Sequence, residues 1–279
     1  MSLPGWFQEL SGQRECNPCP PGFHCQALSP SPTSPLPCPA GYICPRGSPD
    51  SRPLPCPKGT YSPSQGLTTT GTFSFETGNT HQSNCTTCTP GYYCQVEGTV
   101  QPAQCPIGYY CPPGLTLGLE FPCPPGTVQS QLGASSPEAC LLCPAGMFCS
   151  QPGQSRPTGL CEAGFYCPAG STSPNSTEYQ GNSTRSLLCP SGHYCPSGAG
   201  YPLPCPIGSL SISRGLKRDD ECPPCPPGMF CDRPAIAELS DALPCHAGYV
   251  CLGGSSSPTP SDGPHGYLCP TGHSCPPTA

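Results

Sequence analysis

The chain has 279 residues and a net charge of −6, with 34% of residues hydrophobic, 8% aromatic and 9% charged. Those proportions exclude one large buried core, and the sparse acidic charge excludes a nucleic-acid-binding face, which needs a basic surface. Its 46 prolines and 34 glycines would suit a disordered segment, but 27 cysteines make it a disulfide scaffold, in which cross-links restrict the unfolded chain and replace the missing core.

The N-terminal stretch MSLPGWFQEL has neither a basic nor an apolar signal region. No stretch of the sequence approaches the roughly 20 apolar residues of a membrane span. Residues 1–15 read as an unstructured end or a truncated upstream module, with Trp6 and Phe7 outside the repeats. Cross-links of this density persist only in oxidising compartments. The expected location is therefore extracellular or at the cell surface, as part of a larger protein. The sequons at Asn84, Asn175 and Asn182 agree with that location as N-glycosylation sites.

From Cys19 onward one motif, C-x-x-G-x-x-C, recurs ten times, beginning at Cys19, Cys38, Cys88, Cys105, Cys143, Cys161, Cys189, Cys225, Cys245 and Cys269. Proline after the first cysteine and glycine two residues later suit the second and fourth places of a type I turn. Copies with proline third, at Pro21 and Pro227, fit that turn badly.

A second element lacks the nearby partner cysteine: CPKGTYS at Cys56, CPPGTVQ at Cys123 and CPIGSLS at Cys205. Each has a glycine ten residues on, at Gly66, Gly133 and Gly215, and each long loop ends in C-x-x-C, at Cys85/Cys88, Cys140/Cys143 and Cys222/Cys225. The first of these loops carries an insert around 69–80. The chain so divides into module 1 (16–84), module 2 (85–139), module 3 (140–221) and a C-terminally truncated module 4 (222–279). The expected fold is a small disulfide-rich repeat array, elongated, mostly turns and short β-hairpins, with a minimal hydrophobic core.

Two pairings satisfy the cysteine count. If short motifs close on themselves, the pairs are Cys19–Cys25, Cys38–Cys44, Cys88–Cys94, Cys105–Cys111, Cys143–Cys149, Cys161–Cys167, Cys189–Cys195, Cys225–Cys231, Cys245–Cys251 and Cys269–Cys275. The long loops then close as Cys56–Cys85, Cys123–Cys140 and Cys205–Cys222, leaving Cys16 free with its opening partner before residue 1. The rival is a ladder, with Cys19 to Cys38 and Cys25 to Cys44. Its longer loops add only about 1 kcal/mol each. Motif number favours self-closure, because inserting a single motif breaks a pairwise ladder and leaves closed loops intact.

In C-x-x-C-P-x-G-x-Y and C-P-x-G-T-Y-S-x-x-x-G the sequence resembles the ephrin-receptor-like cysteine-rich repeat, related to growth-factor-receptor and TNF-receptor modules. The best match runs from Cys56 to Cys94, echoed at 123–149 and 205–231, and the CPxGYYCPxG copies depart from the pattern by an extra cysteine. The resemblance implies a rod of modules in a large extracellular protein and nothing about catalysis.

The aromatic residues Tyr92, Tyr93, Tyr109, Tyr110, Phe165 and Tyr166 could form a ligand stripe; the structural reading is that each covers its own disulfide or the next module's prolines. A zinc site is the minor alternative. C-x-x-C pairs begin at residues 16, 85, 140 and 222, too far apart for the paired zinc signature, and His24, His193, His246 and His273 occupy inconsistent places. Redox activity would need these pairs at helix N-termini rather than in proline-rich turns. No catalytic motif occurs, so neither enzyme activity nor a cofactor is expected. The charge cluster LKRDDEC, 216–222, reads as a solvated loop, with docking or proteolysis as the alternative. The expected role is protein interaction, adhesion or receptor-type binding to an extracellular protein or matrix component. A passive spacer or stalk is the alternative.

Overall fold

In the computed structural model the described residues are 3–8, 10, 12–26, 35–50, 52, 54–62, 85–175 and 187–277. The insert at 69–80, Gly66 and the sequon residues Asn84 and Asn182 lie outside them.

The motif turn is type II, displaced by one residue from the type I turn expected. In the motif at Cys88 the Tyr92 amide donates to the Thr89 carbonyl at 3.1 Å, and Gly91, third in this turn, has φ of 83°. A positive φ at the third place defines type II and favours glycine there, with proline second. The displacement puts Pro21, Pro90 and Pro227 in the favoured second place, so the copies that fit type I badly are well made for the turn that forms.

The same glycine joins one motif to the next. The Gly91 amide donates to the Cys111 carbonyl and the Cys105 amide donates to the Gly91 carbonyl, both at 2.8 Å. This two-bond exchange recurs from Gly5 with Cys19 and Cys25 through to Gly248 with Cys269 and Cys275. After the second cysteine, a further glycine turns the chain back: the Gly114 amide reaches the Cys88 carbonyl at 2.8 Å and the Cys94 amide reaches Leu115 at 2.9 Å. Contact extends one motif further still. A Cβ on Gly91 would stand 2.4 Å from the Gly133 carbonyl oxygen, and one on Gly146 would stand 2.3 Å from that of Gly198.

Short antiparallel ladders accompany each exchange. Residues just after the motif glycine pair with those just before the next first cysteine, as Tyr92–Tyr93 with Ala103–Gln104 and Met147–Phe148 with Gly159–Leu160. Among the described residues there are 11 such two-stranded ladders, most with two-residue strands. The chain divides into two compact units, Met1–Cys123 with Gln129–Cys140, and Pro124–Val128 with Leu141–Ala279.

Sulfur fills the interior. Thirteen disulfides close the ten short motifs on themselves, with Cα–Cα separations of 5.8–6.0 Å, and join Cys56–Cys85, Cys123–Cys140 and Cys205–Cys222 across the long loops. The aromatic doublets are divided between two tasks. Phe23 and Tyr109 cover their own disulfides, whereas Phe7, Ile43, Tyr93, Tyr166 and Phe230, one residue later in their motifs, pack on the disulfide of the next motif. The Cys19–Cys25, Cys105–Cys111 and Cys245–Cys251 disulfides are each shielded by side chains of two motifs, their own Phe23, Tyr109 and Tyr249 and the preceding motif's Phe7, Tyr93 and Phe230.

The N-terminal stretch belongs to the array, contrary to its reading as an unstructured end. Trp6–Phe7 pairs with Asn17–Pro18, Gly5 exchanges both bonds with Cys19 and Cys25, and Phe7 packs on their disulfide. Gln8 matches Gln129 in detail. The Gln8 amide donates to the Glu15 carbonyl at 2.6 Å and its Oε1 accepts from the Leu10 amide, as Gln129 does with Ala139 and Gln131. Cys16 thus corresponds to Cys140, and the place of its missing partner, three before Gly5, falls on Ser2 rather than before residue 1.

Two expectations follow. Ser2→Cys should give a fourteenth disulfide, seen in non-reducing mass spectrometry as the N-terminal peptide cross-linked to the one carrying Cys16, with loss of the free thiol and about 3 kcal/mol of stabilisation. Among the described residues one non-glycine, Ala235, holds a positive φ, 62°, at the second-turn position. Gly91→Ala should destabilise its junction by at least about 1–2 kcal/mol, seen as about 5–30-fold faster exchange of the Cys105 amide, whereas Ala235→Gly should slow exchange of its own amide.

Candidate functional site

Among the described residues of the first unit, side chains form a concave surface beside Tyr93. The loop from Pro112 to Pro122 is held at both ends. Gly114 and Leu115 make the junction bonds to Cys88 and Cys94, Leu115 is buried on the Cys105–Cys111 disulfide, and the Tyr110 amide donates to the Phe121 carbonyl at 3.1 Å. The Phe121 ring lies 5.5 Å from that of Tyr110. Between these anchors, Leu117 to Glu120 forms a turn whose hydrogen bond, Glu120 amide to Leu117 carbonyl, is internal.

Gly118 sets the shape. A Cβ there would stand 2.7 Å from Tyr93 Cε1 and 3.0 Å from Pro106 Cδ, so only glycine lets the loop lie against the ring. Its neighbours are directed outward: Leu117 is 53% and Leu119 65% exposed. Tyr93, Pro106, Leu117 and Leu119 form apolar walls around a groove of about 460 Å³, with Gln95 and Glu120 as its polar groups. That volume lies within the range of about 300–1,000 Å³ typical of ligand clefts.

Of the aromatic residues singled out from the sequence, Tyr93 alone lines this groove; Tyr109 packs on the Cys105–Cys111 disulfide and Tyr166 on Cys189–Cys195. Sequence reasoning missed Leu117, Gly118, Leu119 and Glu120. LTLGLEF, 115–121, is an apolar run in a chain poor in such runs, which was the available signal. Asn175 is exposed and its side-chain amide donates to the Glu162 carboxylate at 2.6 Å. In the 216–222 cluster Arg218 pairs with Asp220 at 3.3 Å and Glu221 at 3.8 Å within the cluster itself. His193 is half-buried, His246 and His273 are exposed, and no three His, Cys, Asp or Glu side chains gather into a ligand set among the described residues. Among those residues, too, no helix is long and apolar enough to cross a membrane.

No protein-family model matches the chain, and no curated protein matches it. The groove is assigned from its own residues.

Among the described residues His24 is a buried titratable group. It is 5% exposed, its Nδ1 has no hydrogen-bond partner, and burial lowers its pKa against the opposing pull of Asp50. A buried neutral imidazole favours folding above the unfolded value of about 6.5, and that contribution is lost as pH falls through the lowered folded value, because the unfolded chain takes the proton first. Of the nine other short motifs, eight carry Tyr, Phe, Ile or Val at this place and one carries Ser274. The denaturation midpoint of the parent chain should therefore decline between about pH 7.5 and about pH 5, and His24→Phe should flatten that decline.

Proposed function

We propose that the chain is an extracellular binding module of the ephrin-receptor-like kind, a disulfide-interlocked scaffold that presents a groove to a partner protein or matrix component. The observation that carries this reading is the turn 117–120. Among the described residues its backbone makes no bond to another motif, so the array does not need it, yet it holds two leucines more than half exposed beside Tyr93. A passive spacer requires the glycine exchange and the disulfides alone, and gains nothing from an anchored apolar groove. The groove lining offers one carboxylate and no nucleophile with a base beside it, which supports binding over catalysis. The extracellular assignment is supported by the 13 disulfides, whose chemistry requires an oxidising compartment.

The test is staining of animal cells and deposited matrix with the chain secreted from a eukaryotic host and tetramerised. Binding competed by the untagged chain should fall about tenfold or more, a loss of about 1.4 kcal/mol, in the double variant Leu117→Asp, Leu119→Asp, while non-reducing mass spectrometry still finds its disulfides intact. Equal binding by both forms, or none by either, would favour the spacer.

A further inference from the structure

The chemistry of the groove defines its occupant more closely. Its walls are apolar, and its one ionisable carboxylate, Glu120, has no ion pair among the described residues. The sequence around it is unusual in charge. Residues 59–155 contain no lysine or arginine, while Glu97, Glu120 and Glu138 are all within the described part of that stretch. No cation of its own sequence neighbourhood neutralises the rim, and the whole chain is acidic at −6. An anionic ligand or anionic lipid surface would meet this field unfavourably, whereas a cation would gain by it.

We infer that the groove takes an extended segment of a partner protein in which a bulky apolar side chain, seated between Leu117, Leu119 and Tyr93, is flanked by a lysine or arginine that reaches Glu120. This rests on the binding-module reading above and adds the chemistry of the partner. In this chain only Leu216-Lys217-Arg218 sets the two kinds of residue side by side, and it is engaged: the Leu216 carbonyl accepts from the Cys195 amide at 2.9 Å and Arg218 pairs with Asp220. The occupant inferred is therefore a separate partner, with a second copy of this chain as an outcome that the experiment distinguishes.

The experiment pans a phage library of random dodecapeptides on the full disulfide-bonded chain at low salt, in parallel with the Leu117→Asp, Leu119→Asp chain and with the nearly isosteric Glu120→Gln and the charge-reversing Glu120→Lys. Peptides enriched on the parent should carry Leu, Ile, Phe, Tyr or Trp within two places of Lys or Arg. Their synthetic consensus should lose about tenfold or more in affinity on the double aspartate variant, lose a few-fold on Glu120→Gln and more on Glu120→Lys, and weaken as salt rises. Enriched peptides that lack a basic position, or that ignore both Glu120 variants while needing the leucines, would overturn the charge inference and leave the binding groove standing. No enrichment, or enrichment indifferent to the leucines, would overturn both. Concentration-dependent self-association of the parent chain in light scattering, abolished by the double aspartate variant and unaccompanied by peptide selection, would assign the groove to a second copy and also overturn it.

Discussion

The turn glycine of each motif that has a successor accepts, at its carbonyl, the amide of that successor's first cysteine. It donates its own amide to the carbonyl of the residue six places after that cysteine, itself a cysteine in the short copies, and the rest of the structure depends on that exchange. The turn places both polar groups of one residue on the same neighbour, and the positive φ that allows this leaves no room for a side chain, because the next motif but one lies against the same spot. One residue therefore serves three motifs. A chain with little apolar area to bury holds its shape by repeating this local arrangement, with each exchange contributing about 0.5–1.5 kcal/mol per hydrogen bond and each disulfide limiting the unfolded alternatives.

Disulfide and exchange are separable, as the long-loop copies show. Ser62, Gln129 and Ser211 stand where a second cysteine would, and still accept the bond from the preceding motif's glycine: Gly41 to Ser62 at 3.0 Å, Gly108 to Gln129 and Gly192 to Ser211 at 2.8 Å. The first cysteine of these copies is freed to close a larger loop, which absorbs changes in length at little cost, since loop entropy grows only with the logarithm of length. Gln8 and Cys16 are the same arrangement with Ser2 where the first cysteine belongs.

The groove arises where a connecting loop departs from the repeat. Tyr93 performs its structural task on the Cys105–Cys111 disulfide, and the glycine at 118 brings a loop against the Cδ1–Cε1 edge of the same ring. Two leucines are left outside because it is Gly118, between them, that lies against that ring and Pro106. Structure and candidate function thus meet in a single aromatic side chain, and the acidity of the surrounding sequence gives the resulting surface its preference for cations.

The sequence by itself determined the class of the molecule, the spacing of its turns and the division into short and long loops. These depend on residues close together in the chain: cysteine count, proline and glycine in fixed places, and the ten-residue offset to the second glycine. It did not determine the turn type, which differs by a one-residue displacement that the pattern C-P-x-G permits equally well. Nor did spacing choose between self-closed motifs and a ladder, since both satisfy the same count. The N-terminal motif was hidden because Ser2 and Gln8 stand in both cysteine places, whereas every other copy keeps at least its first cysteine, and Gly5 bonding to Cys19 and Cys25 reveals it. The groove was illegible for the same reason. Its walls, Tyr93 and Leu117 to Glu120, are brought together by bonds between successive motifs, and only the tertiary structure decides which carbonyl a glycine amide meets.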